Sequence, residues 1–150
     1  MDAVILVGGF GTRLRPLTLT TPKPLLPVGN VSILARVIAS LEKAGVTRAV
    51  LALGFKPQPF IDAFPGNQCG GVHLDYAVEP EPLDTGGAIA FAARFAGISQ
   101  TFIVVNGDVL TSLDVSTLVA FHQKSAAEGT LHLTPVEDPS QFGVVETATN

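Results

Sequence analysis

Gly8-Gly9-Phe10-Gly11-Thr12-Arg13-Leu14-Arg15-Pro16-Leu17-Thr18, closing with Pro22-Lys23-Pro24, decides how this chain is read. The stretch follows an apolar run, residues 3–7, that predicts a buried strand. Three glycines then bare backbone N–H groups, and two arginines and a lysine follow within fifteen residues. Bare amides form an anion nest and the cations neutralise charge at close range. That combination suits a polyphosphate, with a nucleoside triphosphate as the expected ligand.

Other glycine-rich loops are excluded by residue. A Walker loop needs Gly, four residues, then Gly-Lys-Ser/Thr, a spacing this sequence lacks. A dinucleotide fingerprint opens directly into a helix, which Pro16, Pro22, Pro24 and Pro27 forbid here. The next expected strand, residues 49–53, also has no acidic residue at its end for a ribose diol. A plain strand-to-helix turn explains neither the length of the loop nor its repeated prolines.

The chain has 150 residues, 47% hydrophobic and 15% charged, which suits one α/β domain with fully buried strands. No apolar run approaches the ~20 residues needed to cross a bilayer. No basic leader precedes a long apolar segment, so no secretory signal is expected. Cys69 is the only cysteine, which excludes an internal disulfide and fits a reducing cytoplasm. Cys69, His73, His122 and His132 lack zinc-ligand spacing.

The net charge of −4 hides an asymmetry. Residues 1–60 carry seven Lys/Arg against two Asp/Glu, and residues 61–150 carry two against eleven. A basic half beside an acidic half fits a site that grips phosphates with one and a divalent metal with the other. There is no basic stripe with interleaved aromatics, so a nucleic-acid partner is not expected.

Apolar runs alternate with helical periodicity, the pattern of βαβ units. The fold class expected is Rossmann-like α/β: a mostly parallel sheet with helices on both faces. Strands are expected at residues 3–7, 48–53, 72–78, 101–105, 130–136 and 143–147. Helices are expected at 32–44 (ended by Gly45), 57–64, about 86–95 and 114–127. Asp84 or Thr85 would cap the third, and Asp114 the fourth. Open α/β sheets bind ligands beyond the carboxyl ends of their strands. The Gly8 loop, residues 79–87 and Asn106-Gly107-Asp108 should therefore converge on one edge.

Asp108 follows a buried strand and is the candidate Mg²⁺ ligand, because Mg²⁺ favours oxygen and often uses one or two carboxylates plus substrate phosphates. Arg13 and Lys23 are the candidate cations for phosphate charge. Arg15 has the same chemistry but no stronger claim than a surface residue, and Lys43, Arg48 and Lys124 are expected to be solvated. Glu79 and Glu81 sit in a proline-stiffened loop. Their carboxylates could accept the N1–H and N2–H₂ of guanine, whereas uracil or thymine suits a glutamine amide better; a solvated acidic loop is the alternative. His122 is expected to pack on the apolar side of its helix.

The residues resemble a known family at this point. G-G-F-G-T-R-L-R-P-L-T-L-T-T-P-K-P-L-L-P-V is similar to the signature of the sugar-1-phosphate nucleotidyltransferases. E-P-E-P-L-D-T-G-G, N-G-D-V and E-D-P-S-Q-F-G-V-V resemble mannose-1-phosphate guanylyltransferases more than glucose-1-phosphate thymidylyltransferases. Asp84 stands where that pattern commonly has glycine, and Gly86 where it has alanine.

The resemblance implies that a sugar-1-phosphate attacks the α-phosphorus of an NTP and expels pyrophosphate, giving GDP-mannose from mannose-1-phosphate and GTP. Arg13 would stabilise the leaving pyrophosphate, Lys23 would contact the reacting phosphates and Asp108 would hold Mg²⁺. Leu6, Gly8, Gly9, Gly11 and Thr12 would meet the nucleotide. The loop carrying Glu79, Thr85 and Gly86 would enclose the base, and Asn106 and Gly143 would approach ribose or sugar. The family's Glu-Lys-Pro segment and second metal-binding aspartate lie beyond residues 1–150. The chain is thus expected to be the N-terminal portion of a catalytic domain, poorly active alone. Any homo-oligomer would form through the remainder. Thymidylyl or uridylyl transfer to glucose-1-phosphate is the alternative within the class, and a nucleotide-sugar sensor without turnover is the reading from a different class.

Overall fold

Parallel strands buried on both faces need apolar side chains, and that is how residues 3–6 of β1 (Asp2–Leu6) read in the computed structural model. All residues are described except Phe10, Phe55, Pro139, Gln141, Phe142 and 147–150. Two units are distinguished, Met1–Ser116 and Thr117–Asn150.

In the first unit, the loop after β1 forms 3₁₀ turns at Thr12–Leu14, Leu17–Leu19 and Lys23–Leu25, since its prolines remove donors that a longer helix would use. A two-residue hairpin follows, β2 (Pro27–Val28) with β3 (Val31–Ser32). Helix α1 (Ile33–Lys43) starts where Ser32 Oγ accepts the Ala35 N–H at 3.2 Å. It ends in a Schellman arrangement: Gly45, with φ +85°, donates to Glu42 O, and Val46 donates to Leu41 O. Leu34, Val37, Ile38 and Leu41 are buried along α1, each worth roughly 1.5–3 kcal/mol.

The chain continues through β4 (Arg48–Leu53), α2 (Gln58–Ala63), β5 (Gln68–Cys69), β6 (Val72–Val78), α3 (Asp84–Phe95), β7 (Ile103–Asn106) and α4 (Val115–Ser125). The sheet order is β5-β6-β4-β1-β7, with β1 parallel to β4 and β7, β4 parallel to β6, and β5 antiparallel to β6. Val4, Val50, Ala52 and Ala77 pack on Ala88 and Ala92 of α3. Strand alternation turns Ala3, Ile5, Ala49 and Leu51 to the opposite face, where Leu34 of α1 approaches Ile5 beside Gly107. Helices therefore cover both faces, as the sequence predicts.

The order reverses at β1: the chain moves outward through β4 and β6, then returns to β1's other side with β7. Leu6 is in register with Asn106, and Gly107 N–H donates to Leu6 O at 2.8 Å. The crevice at such a switch point is where open α/β sheets bind ligands.

Four expectations are corrected. Arg48 is not simply solvated: its Nε donates to Asp75 Oδ2 at 2.6 Å and its Nη1 to Ala96 O, at the end of α3, at 3.0 Å. It ties two strands to a helix at the sheet edge opposite the switch point. Arg48→Ala is expected to lower unfolding free energy in urea by about 1–2 kcal/mol. Helix α3 begins two residues earlier than expected and neither Asp84 nor Thr85 caps it; Glu79 Oε2 instead accepts the Leu83 N–H at 3.1 Å. Residues 130–136 and 143–146 form no ladder among the described residues, for alternation provides a face to bury but not a partner strand; Thr147 lies outside the described residues. In the second unit His122 is half-buried, with Nδ1 2.9 Å from Thr130 Oγ1, rather than part of an apolar core.

Cys69, on β5, is partly buried. Burial, then the nearby Glu42 carboxylate, push its thiol pKa up, which suppresses thiolate reactivity.

Candidate active site

Four strand ends deliver the site: β1 leads into Gly8, β4 into Gly54, β6 into Glu79 and β7 into Gly107 and Asp108. Gly11 adopts φ +56°, its carbonyl accepts from Thr18 Oγ1 at 2.7 Å, and Leu14 N–H closes on the same oxygen at 2.9 Å. These bonds curl the loop back over the strand ends. Pro24 is buried against neighbouring structure, which fixes the backbone beside Lys23.

Two cavities open there, sharing Gly8, Gly9 and Asp108. The smaller, about 520 Å³, is lined by those three with Gly11, Thr12, Arg13, Leu14, Lys23 and Pro24. All the residues proposed for phosphate and metal chemistry thus meet in one recess. Lys23 Nζ donates to Asp108 Oδ2 at 2.6 Å, across 85 positions of sequence. Among the described residues, Arg13 makes no ion pair and is exposed to the recess.

The larger cleft, about 750 Å³, gathers Leu6, Glu79, Thr85 and Asn106 with Thr18, Leu83, Asp84 and Phe60. Its volume is in the range of small-molecule ligand sites. Arg15 and Lys56 line it as well. Sequence reasoning gave Arg15 no special claim and passed over Lys56. The available signals were Pro16, which holds the preceding Arg15 in extended backbone, and Gly54 marking another strand-end loop. Glu81 is exposed outside the cleft lining, as is Gly86 in the first turn of α3. Gly143 belongs to the second unit and is exposed there.

The charge asymmetry of the sequence becomes spatial here. The cations lining the two cavities, Arg13, Arg15, Lys23 and Lys56, all come from the first 60 residues. The carboxylates, Glu79, Asp84 and Asp108, all come from the remainder.

Asp84 has φ +55°. This left-handed backbone is free to glycine, strained for most residues and tolerated better by aspartate. It accounts for the glycine expected at that position. Asp84→Gly should change stability by less than about 1 kcal/mol, whereas the β-branched Asp84→Val should cost about 1–2 kcal/mol in urea unfolding.

The fold is an open α/β sheet with a basic recess at its switch point, and residues 2–150 match the model of the Nucleotidyl transferase family; the chain belongs to it. It is 44% identical over 147 residues to a mannose-1-phosphate guanyltransferase of Schizosaccharomyces pombe, covering 97% of this chain and 40% of the relative. It is 42% identical over 147 residues to a mannose-1-phosphate guanylyltransferase of Mycobacterium tuberculosis, covering 98% and 41%. The structure of HddC from Yersinia pseudotuberculosis complexed with GMP-PN superposes with a TM-score of 0.69 at 37% identity, over 81% of this chain and 53% of that one. The chain therefore spans about two-fifths of the length of these curated relatives.

Proposed function

We propose that the whole protein transfers a nucleotidyl group from GTP to mannose-1-phosphate, forming GDP-mannose and releasing pyrophosphate. A sugar-phosphate oxygen forms a bond to the α-phosphorus as the bond from that phosphorus to the bridging oxygen breaks. The observation that carries this reading is the meeting of Arg13, Lys23 and Asp108 around the Gly8–Gly9 backbone at the switch point. In such transfers the protein chiefly aligns reactants and stabilises developing charge, which a guanidinium, an ammonium and bare amides can do. The names of the relatives supply the sugar and the base.

Mg²⁺ fits the donor set. Among the described residues no three His, Cys, Asp or Glu side chains cluster as a cage. A lone carboxylate, Asp108, facing a phosphate-binding recess is the arrangement a hard ion held largely by substrate oxygens requires. When bound, the ion would neutralise triphosphate charge. Asp108 would be its protein ligand.

Guanine suits the larger cleft on chemical grounds. Glu79 retains a carboxylate oxygen beyond its bond to Leu83, able to accept from N1–H or N2–H₂. Arg15 and Lys56 are donors suited to O6 and N7. Leu6, Gly8, Gly9, Gly11, Thr12 and Thr85, which line the two cavities, are assigned to the nucleotide, and Asn106 to ribose or sugar. We assign the protein to the cytoplasm, since the single cysteine of residues 1–150 needs no oxidising compartment. No helix among the described residues is long and apolar enough to cross a membrane.

Pyrophosphate release by the full-length gene product, measured with four NTPs against mannose- and glucose-1-phosphate, tests the proposal. GTP with mannose-1-phosphate should exceed the other pairs by at least about tenfold. Preference for dTTP or UTP with glucose-1-phosphate would replace the substrate assignment, and release with no pair would favour the sensor.

A further inference from the structure

The site's ammonium and its carboxylate hold each other. Lys23 Nζ and Asp108 Oδ2 lie 2.6 Å apart, with side chains 36% and 33% exposed. Their backbones are set independently, Lys23 beside buried Pro24 and Asp108 after Gly107, whose Cα packs close to Val7, Ile5 and Leu34. The reading above assigns these two charges to different parts of the substrate, phosphate and metal. A free metal taking Asp108 would strand the ammonium beside a dication. A metal-free phosphate taking Lys23 would strand the carboxylate beside an anion. Only a ligand that brings both charges leaves each group with a partner.

We propose that the Lys23–Asp108 bridge is a lock that admits the metal–triphosphate complex as one unit and discriminates against either component alone. The inference rests on that reading of the recess as a triphosphate site. The carboxylate exchanges ammonium for metal while the ammonium exchanges carboxylate for phosphate, so charge stays balanced throughout. Arg13 and the Gly8 and Gly9 amides line the same recess but stand outside the exchange. Linkage requires the coupling to be reciprocal: each component raises the other's affinity by the same factor.

The test is calorimetric binding of inorganic tripolyphosphate to the wild type, Lys23→Met, Asp108→Asn and the double variant, with circular dichroism confirming that each is folded. Without metal, Lys23→Met should weaken binding less in the wild-type background than in the Asp108→Asn background, because the bridge must break before the lysine can serve the phosphate, while the long-range loss of one positive charge is common to both. The loss in the Asp108→Asn background should exceed that in the wild-type background about fivefold, a size suited to a partly exposed ion pair. With Mn²⁺ present, the wild-type loss should rise to the size of the metal-free Asp108→Asn loss. Equal metal-free losses in both backgrounds would overturn the lock, as would no rise with Mn²⁺. If Mn²⁺–tripolyphosphate binds no variant, the reading of the site itself falls.

Discussion

Arg13→Ala is expected to lower kcat for pyrophosphate release by the full-length gene product about 10²–10³-fold, with a smaller change in the KM for GTP. Arg13 lines the recess and makes no ion pair among the described residues, so its removal leaves no buried charge behind. Stability should hold, and the loss can be assigned to chemistry. The effect should fall on kcat because charge accumulates on pyrophosphate only as its bond to the α-phosphorus breaks. Arg13→Lys should recover only part of the rate, since an ammonium is a point charge and cannot grip two phosphate oxygens in one plane. A loss below about fivefold would remove Arg13 from the mechanism.

Gly107→Ala should damage fold and site together. A Cβ there would lie 2.6 Å from Val7 Cγ1, 3.1 Å from Ile5 Cγ2 and 3.3 Å from Leu34 Cδ1. Those three side chains belong to the core or border it, and overpacking of this kind costs typically about 1–3 kcal/mol. Backbone relief would move the next residue, Asp108. Urea unfolding should therefore shift, and Mn²⁺–GTP binding should weaken. Gly8→Ala is the control: its added Cβ would meet nothing nearer than Gly54 N at 4.0 Å. Loss of nucleotide affinity in that variant without loss of stability would mark close ligand approach to the loop. Wild-type stability for Gly107→Ala would contradict the packing described.

Much of this was legible in the chain, for physical reasons. Central strands buried on both faces are apolar almost throughout, so residues 3–6 of β1 and 49–53 of β4 stand out as runs, while β6 shows itself by alternation; observed and expected limits differ by one residue at most. Ser32 and Gly45 announce the ends of α1 because capping chemistry is local. The prolines after Gly11 forbid a helix whatever surrounds them. Contacts distant in sequence were not legible. Nothing in the residues around Arg48 reveals that it will meet both Asp75 and the end of α3. Glu79 reads as a free acid, yet one oxygen holds the backbone at Leu83. Arg13 and Arg15 look equivalent in sequence and part into different cavities. The pairing of Lys23 with Asp108 depends on β7 returning beside β1, a matter of strand order that periodicity cannot express. Residues 130–136 show the converse, with the alternation of a strand but no partner among the described residues.

A crystal structure of the full-length gene product with Mg²⁺ and a non-hydrolysable GTP analogue tests the central claim most directly. The account predicts the triphosphate against the Gly8, Gly9 and Gly11 backbone and Arg13, the metal on Asp108, and Lys23 transferred from Asp108 to a phosphate oxygen. A triphosphate bound elsewhere, with the recess empty and the 2.6 Å bridge intact, would contradict it.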